Sequence, residues 1–159
     1  MSVNRNRTHL LVLPEDDKNL QLATGFALES ANRQIRPLPV AGGWRAVLQR
    51  FQFEHVAKMQ QFPGRLMVLL IDFDRSHDRL AEVKGVVPGH LADRVFVLGT
   101  WTEPEDLKKA GLGSYETIGR SLARDCRFNT NTTWTHELLR HNAEELARLC
   151  KCIQPILIQ

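Results

Sequence analysis

Leu66-Met-Val-Leu-Leu-Ile71 runs directly into Asp72-Phe-Asp74, and everything else in the chain is placed relative to it. An unbroken apolar run of that length reads as a strand covered on both faces, as in parallel sheets packed between layers of helices. The two acids that end it then lie at the carboxyl edge of the sheet. In open α/β sheets that edge is where ligands bind.

On the amino side, Trp44, Val47, Leu48 and Phe51 recur at helical spacing and predict a helix over residues 44–60, ended by Phe62-Pro63-Gly64. On the carboxyl side, the polar residues 75–90 hold at most a short helix before a further apolar strand at residues 95–98. The segment leaving that strand has Thr102 three residues before Glu105 with Pro104 between, which predicts a capping box and a helix to residue 110.

Residues 9–13 form an earlier strand, closed by Pro14 and Glu15-Asp16-Asp17. Asp16 or Asp17 can cap the helix that follows, whose apolar residues Leu20, Ala23 and Ala27 extend it to about residue 32. Residues 35–40 are a strand carrying Pro37 and Pro39, which cannot donate to a ladder, so this strand belongs at an edge. Ala41-Gly42-Gly43 turns into the helix that begins at residue 44. Beyond residue 110, helices are expected at 115–126 and, from the stripe Leu139, Ala143, Leu146, Cys150 and Ile153, at 134–152, with a possible fifth strand at 156–158.

Strands alternating with helices over short connections predict one doubly wound α/β domain, Rossmann-like or flavodoxin-like, with a mainly parallel sheet of four or five strands. With the proline-bearing strand at the edge, the order is 2-1-3-4. The first and third strands are then neighbours, so Glu15 lies beside Asp72 and Asp74.

The 159 residues, 43% hydrophobic and 25% charged, suit a single globular core. A net charge of +3 and a pI near 9.0 are compatible with a nucleic-acid partner without requiring one. Three cysteines make an odd count with no disulfide framework, and Cys150 and Cys152 read as core thiols, consistent with a cytoplasmic protein. No apolar stretch is long enough for a signal-peptide core or a membrane span. Trp44, Trp101 and Trp134 are scattered as core residues are, rather than grouped as a stacking platform.

Carboxylates gathered at one sheet edge repel one another unless some hold protons or a cation sits among them. Oxygen-only ligands suit Mg2+ or Mn2+, and the cysteines and histidines are not spaced as a zinc site. In Asp72-Phe-Asp74 an extended backbone turns both acids to the same side. The alternative is that Asp72 and Asp74 open a loop and Glu15, Asp16 and Asp17 only cap a helix. His77 reads as a surface-loop residue, and His136 and His141, five apart, are poor joint ligands.

A glutamate closing the first strand, a glycine-rich turn after the second and Asp-x-Asp closing the third resemble a Toprim domain, the metal-binding fold of topoisomerases, primases and related nucleases. The resemblance spans residues 8–110 and is nearest the nuclease branch, whose further acidic patch is similar to Glu103-Pro-Glu105-Asp106. It implies that Glu15, Asp72 and Asp74 are catalytic, that they hold Mg2+ or Mn2+ together with Glu105, and that Gly42 and Gly43 lie near a phosphate. A magnesium-dependent phosphodiester or phosphoryl-transfer domain acting on nucleic acid, working with a separate protein partner, is the implied function. The chain departs from the pattern at Asp16, where such domains usually carry glycine.

The acidic strand end at Glu15-Asp16-Asp17 and residues 95–118 also resemble a response-regulator receiver. That likeness implies phosphorylation of Asp72, magnesium on Asp16 and Asp17, and Thr100 as a switch hydroxyl, but Ile118-Gly119-Arg120 stands where a receiver has its lysine. A catalytically silent interaction domain is the third expectation.

Overall fold

A computed structural model describes residues 3–158. Four strands, β1 (His9–Pro14), β2 (Ile35–Pro37), β3 (Arg65–Leu70) and β4 (Val95–Leu98), form one sheet in the order β2-β1-β3-β4. Every pairing is parallel, with β1 and β3 in register from His9 opposite Arg65 to Pro14 opposite Leu70. The proline-bearing β2 is short and lies at the edge, as expected of a strand that cannot complete a ladder.

Alternation along the strands divides the core in two. Leu10, Val12, Leu66, Val68, Phe96 and Leu98 point to a layer made by α1 (Asp17–Ala27), α6 (Tyr115–Phe128) and α7 (Ala143–Ile153). Leu11, Leu13, Met67, Leu69, Val95 and Val97 point to the opposite layer of α2 (Trp44–Arg50), α3 (Val56–Gln61) and α4 (Arg79–Gly85). The chain is therefore a doubly wound α/β fold. A π turn at Phe51–His55 joins α2 and α3, and a short α5 (Pro104–Lys109) follows β4. On the first layer, α1 and α6 cross so closely that a Cβ on Gly119 would lie 2.0 Å from the Leu22 carbonyl oxygen.

Four expectations need correction. The fifth strand does not join the sheet: Gln154–Ile156 is a 3-10 turn, and Leu157 makes a single antiparallel bridge to Ser30. The last helix starts at Ala143, not near residue 134; the segment before it runs in turns, with the N–H groups of Thr132, Thr133 and Trp134 held by the buried Asp125 carboxylate. The cap of α5 is Glu103, with no side-chain bond, so Thr102 does not form the expected capping box. Packing of α6 against α7 brings Cys126 and Cys150 to a Cα separation of 5.1 Å and joins them in a disulfide, leaving Cys152 free. No helix among the described residues is long and apolar enough to cross a membrane.

Candidate functional site

Parallel pairing continues past the named strands and fixes where their exits lie. The Glu15 N–H donates to the Leu70 carbonyl at 2.9 Å, and the N–H groups of Ile71, Phe73 and Arg75 donate to the carbonyls of Leu98, Thr100 and Trp101. Gly99 lies so close to β3 that a Cβ there would stand 1.6 Å from the Ile71 carbonyl oxygen. A side chain at that position would force the two exits apart.

Glu15 is drawn across to Asp72 at this edge. Its Oε2 accepts the Asp72 N–H at 2.6 Å. The Asp72 side chain is bridged to Asp16 by the fully buried Asn19, whose Nδ2 donates to Asp72 Oδ1 at 2.9 Å and to Asp16 Oδ1 at 3.0 Å. Asp16 also caps α1 by accepting the Asn19 N–H. Asp74, in the left-handed region at φ 48°, is exposed and meets Arg79 at 2.7 Å, while the same guanidinium donates to the Asp72 carbonyl. Arg79 in turn lies over the Trp44 ring.

Burial pushes the Asp72 carboxyl up to about 7; the Asn19 bond opposes the shift, and the charges of Glu15, Asp16 and Asp74 reinforce it. Glu15 is raised for the same first reason, eased by the Asp72 N–H and by Arg79. Glu15, Asp16, Asp72 and Asp74 thus share one electrostatic field.

Glu105 is held elsewhere. Its carboxylate pairs with Lys18 at 2.7 Å, which lowers its pKa against the raising effect of burial. The acids that share an open groove with Asp74 are Glu103 and Asp106, together with Arg75 and Thr102. Glu105 presses the Glu103 pKa upward. Gly42 and Gly43, both at positive φ, form the expected turn, but both N–H groups are given to the Glu15 carbonyl, at 2.9 and 3.2 Å. They position Glu15 and have no N–H left for a phosphate.

The donor chemistry of Glu15, Asp72 and Asp74 suits a hard cation: all are oxygens, and Glu15 Oε1, Asp72 Oδ2 and Asp74 Oδ1 make no hydrogen bond among the described residues. As these side chains stand, no three Asp, Glu, His or Cys residues among those described are gathered closely enough to hold an ion.

Residues outside the expected set complete the edge. His141 Nε2 meets the Gly99 carbonyl at 2.8 Å, and Asn142 clasps the same peptide by donating to its carbonyl and accepting the Gly99 N–H. A carbonyl only accepts, so Nε2 carries the proton; burial lowers the His141 pKa and favours this neutral form. The buried polar atoms without a hydrogen-bond partner among the described residues are Asn19 Oδ1, Thr100 Oγ1, Thr102 Oγ1 and His141 Nδ1. Unmade buried bonds are costly, and here they are confined to this edge. The sequence signal for the last pair is Arg140-His141-Asn142, three polar residues interrupting the stripe between Leu139 and Ala143.

Trp101 packs at the margin of the core rather than inside it. It is half-buried beside Phe73, with ring centroids 6.2 Å apart, and His77 and His141 lie 4.8 and 5.2 Å from it. No family model, curated protein or solved structure matches the chain, and the chemistry of this edge follows from its own residues.

Proposed function

We propose that the carboxyl edge of the sheet is a magnesium- or manganese-dependent site for phosphodiester hydrolysis or phosphoryl transfer on nucleic acid. The observation that carries this reading is the convergence of Glu15, Asp16, Asp72 and Asp74 at one edge, where burial first and the neighbouring acids second raise the Asp72 carboxyl to about 7. A protein rarely assembles such repulsion at a strand edge without a use for it. Neutralising the field by a divalent cation is the usual solution for oxygen donors.

In this reading Glu15 and Asp72 hold the ion, Asn19 keeps Asp72 oriented, and Arg79 sets the position of Asp74. A bound cation would withdraw electron density from a phosphoryl group and make nearby water more acidic. Asp72, raised to about 7 while metal-free, would give up its proton on taking up the cation, so binding near neutral pH should release protons. Toprim-like use of the edge agrees with the glutamate on β1 and Asp-x-Asp after β3. Work with a separate protein partner belongs to the same proposal; the Cys126–Cys150 disulfide removes the cysteine argument for a cytoplasmic setting.

The receiver-like reading has less support, because its lysine would follow a fifth strand, and the sheet has four among the described residues. A single assay separates the readings. The protein is incubated with single- and double-stranded DNA and RNA plus Mg2+ or Mn2+, and separately with acetyl phosphate. Metal-dependent cleavage lost in Asp72→Asn is the expected result. A stable phosphoryl adduct on Asp72 supports the receiver, and neither product supports a silent interaction domain.

A further inference from the structure

Next to the acidic groove lies a second cleft of about 530 Å³, lined by Arg75, His77, Trp101, Glu137, Arg140 and His141. Thr102 and Arg75 line both depressions, so the two adjoin at these residues. We propose that this cleft binds one nucleotide of a single-stranded nucleic acid, its base against Trp101 and its phosphate between Arg75 and Arg140, next to the phosphate acted on at the acidic edge. The inference rests on the nucleic-acid reading above and extends it to strand state and binding register.

Aromatic rings and free cations occur together here. Trp101 is half-buried, wedged between His77 and His141 and backed by Phe73, which holds the indole as a fixed surface. Base stacking on such a surface is tolerant of sequence because every base has a π face. The guanidinium groups of Arg75 and Arg140 are exposed and make no ion pair or hydrogen bond among the described residues. Several other arginines are engaged, Arg79 with Asp74, Arg120 and Arg124 with Glu29, and Arg148 with Glu145, whereas Arg7, Arg33 and Arg36 are as unengaged as Arg75 and Arg140; what sets the last two apart is that they line one cleft with Trp101. Two unengaged guanidiniums flanking an aromatic surface suit a phosphate attached to a planar ring.

The backbone supports the same assignment. Asp74 and Arg75 both lie in the left-handed region, at φ 48° and 59°, although neither is glycine. Consecutive non-glycine residues there carry strain of the kind that collects at binding sites. Its effect is to send Asp74 to Arg79 and Arg75 to the aromatic cleft while the Arg75 N–H stays bonded to the Trp101 carbonyl at 2.9 Å. A duplex keeps its bases stacked inside and cannot offer one to Trp101, which is why the proposal specifies a single strand.

The test measures fluorescence anisotropy of fluorescein-labelled oligo(dT) and oligo(rU) of ten nucleotides, with a mixed-sequence duplex as contrast, all in EDTA at low salt. Wild type should bind the single strands in preference to the duplex. Trp101→Leu should weaken binding by about tenfold or more, in line with the loss of one stacked base. Arg140→Ala, an exposed substitution that leaves the core alone, should also weaken binding and flatten its salt dependence. The proposal is overturned if the oligonucleotides do not bind, if the duplex binds as well as the single strands, or if folded Arg140→Ala and Trp101→Leu bind as wild type does. Failure of the catalytic reading is distinguishable: Trp101-dependent binding without metal-dependent cleavage removes the hydrolytic function and keeps the nucleotide cleft. Cleavage with both variants binding normally does the opposite.

Discussion

Glu15 Oε2 accepts the Asp72 N–H at 2.6 Å, tying the exit of β1 to the exit of β3 through a carboxylate on a backbone amide. The bond holds two acids near each other, whereas their charges oppose the contact. Burial raises both carboxyls, and the charges of the neighbouring acids add to the shift.

That conflict sets a pH dependence. The folded pKa of Asp72, about 7, lies above its ordinary 3.8, so between those values the native state binds more protons than the unfolded chain. The stabilisation from that proton is full below the ordinary value and is lost as pH rises through about 7. Metal-free wild type should therefore lose stability from pH 4 to 8 relative to Asp72→Asn. The expected difference is about 1–2 kcal/mol at pH 8, discounted for partial solvent screening. Urea melts of both proteins across this range check it, and parallel profiles would show that folding does not raise the Asp72 pKa.

Asn19 is buried and gives one amide nitrogen to both Asp16 and Asp72. Asn19→Ala should destabilise the protein by about 1–3 kcal/mol, because a buried acid loses its donor. It should also raise the Asp72 pKa further, since the Asn19 bond opposes the shift. Carboxyl NMR titration of wild type and variant reads the direction.

Glu103 and Glu105 are two residues apart but differently placed, one in the groove with Asp74 and the other on Lys18. Glu103→Gln should reduce metal-dependent activity more than Glu105→Gln. The Glu105→Gln stability change should stay within about 0.5 kcal/mol, as for a partly exposed ion pair. Equal activity losses would return Glu105 to the ligand set that the Toprim resemblance implies.

The Cys126–Cys150 disulfide spans 24 residues, including the turn that carries His141 and Asn142. Thiol titration of unfolded, unreduced protein should find one reactive cysteine, Cys152. Cys126→Ser should cost about 3 kcal/mol by the loop-closure argument. Three reactive thiols would contradict the pairing.

The strand order was legible because Pro37 and Pro39 send their strand to the edge, and alternating apolar residues show which face each strand residue meets. The nearness of Glu15 to Asp72 follows from that order alone. What escaped depends on contacts distant in sequence. Asp125 ties down the N–H groups of Thr133 and Trp134, eight and nine residues downstream, in a stretch of turns, although the Leu139 stripe has the right period for a helix. The disulfide needs the packing of α6 on α7, and the Gly42 and Gly43 N–H groups are used by a carbonyl that no spacing argument would single out. Ile156-Leu-Ile158 has strand composition, but the edge beside β4 is not where the chain leads.

The most direct test of a cation site at the acidic edge is a set of thermal melts of wild type and Asp72→Asn at pH 8, each with EDTA and with millimolar Mg2+. A ligand that binds only the folded state stabilises it according to its affinity. Magnesium should raise the wild-type Tm; Asp72→Asn should melt higher than wild type in EDTA, by about 1 kcal/mol for one relieved like-charge contact, and should gain less from magnesium. If magnesium leaves wild type unmoved and Asp72→Asn melts lower in EDTA, the acids are capping and loop residues, and the metal site is contradicted.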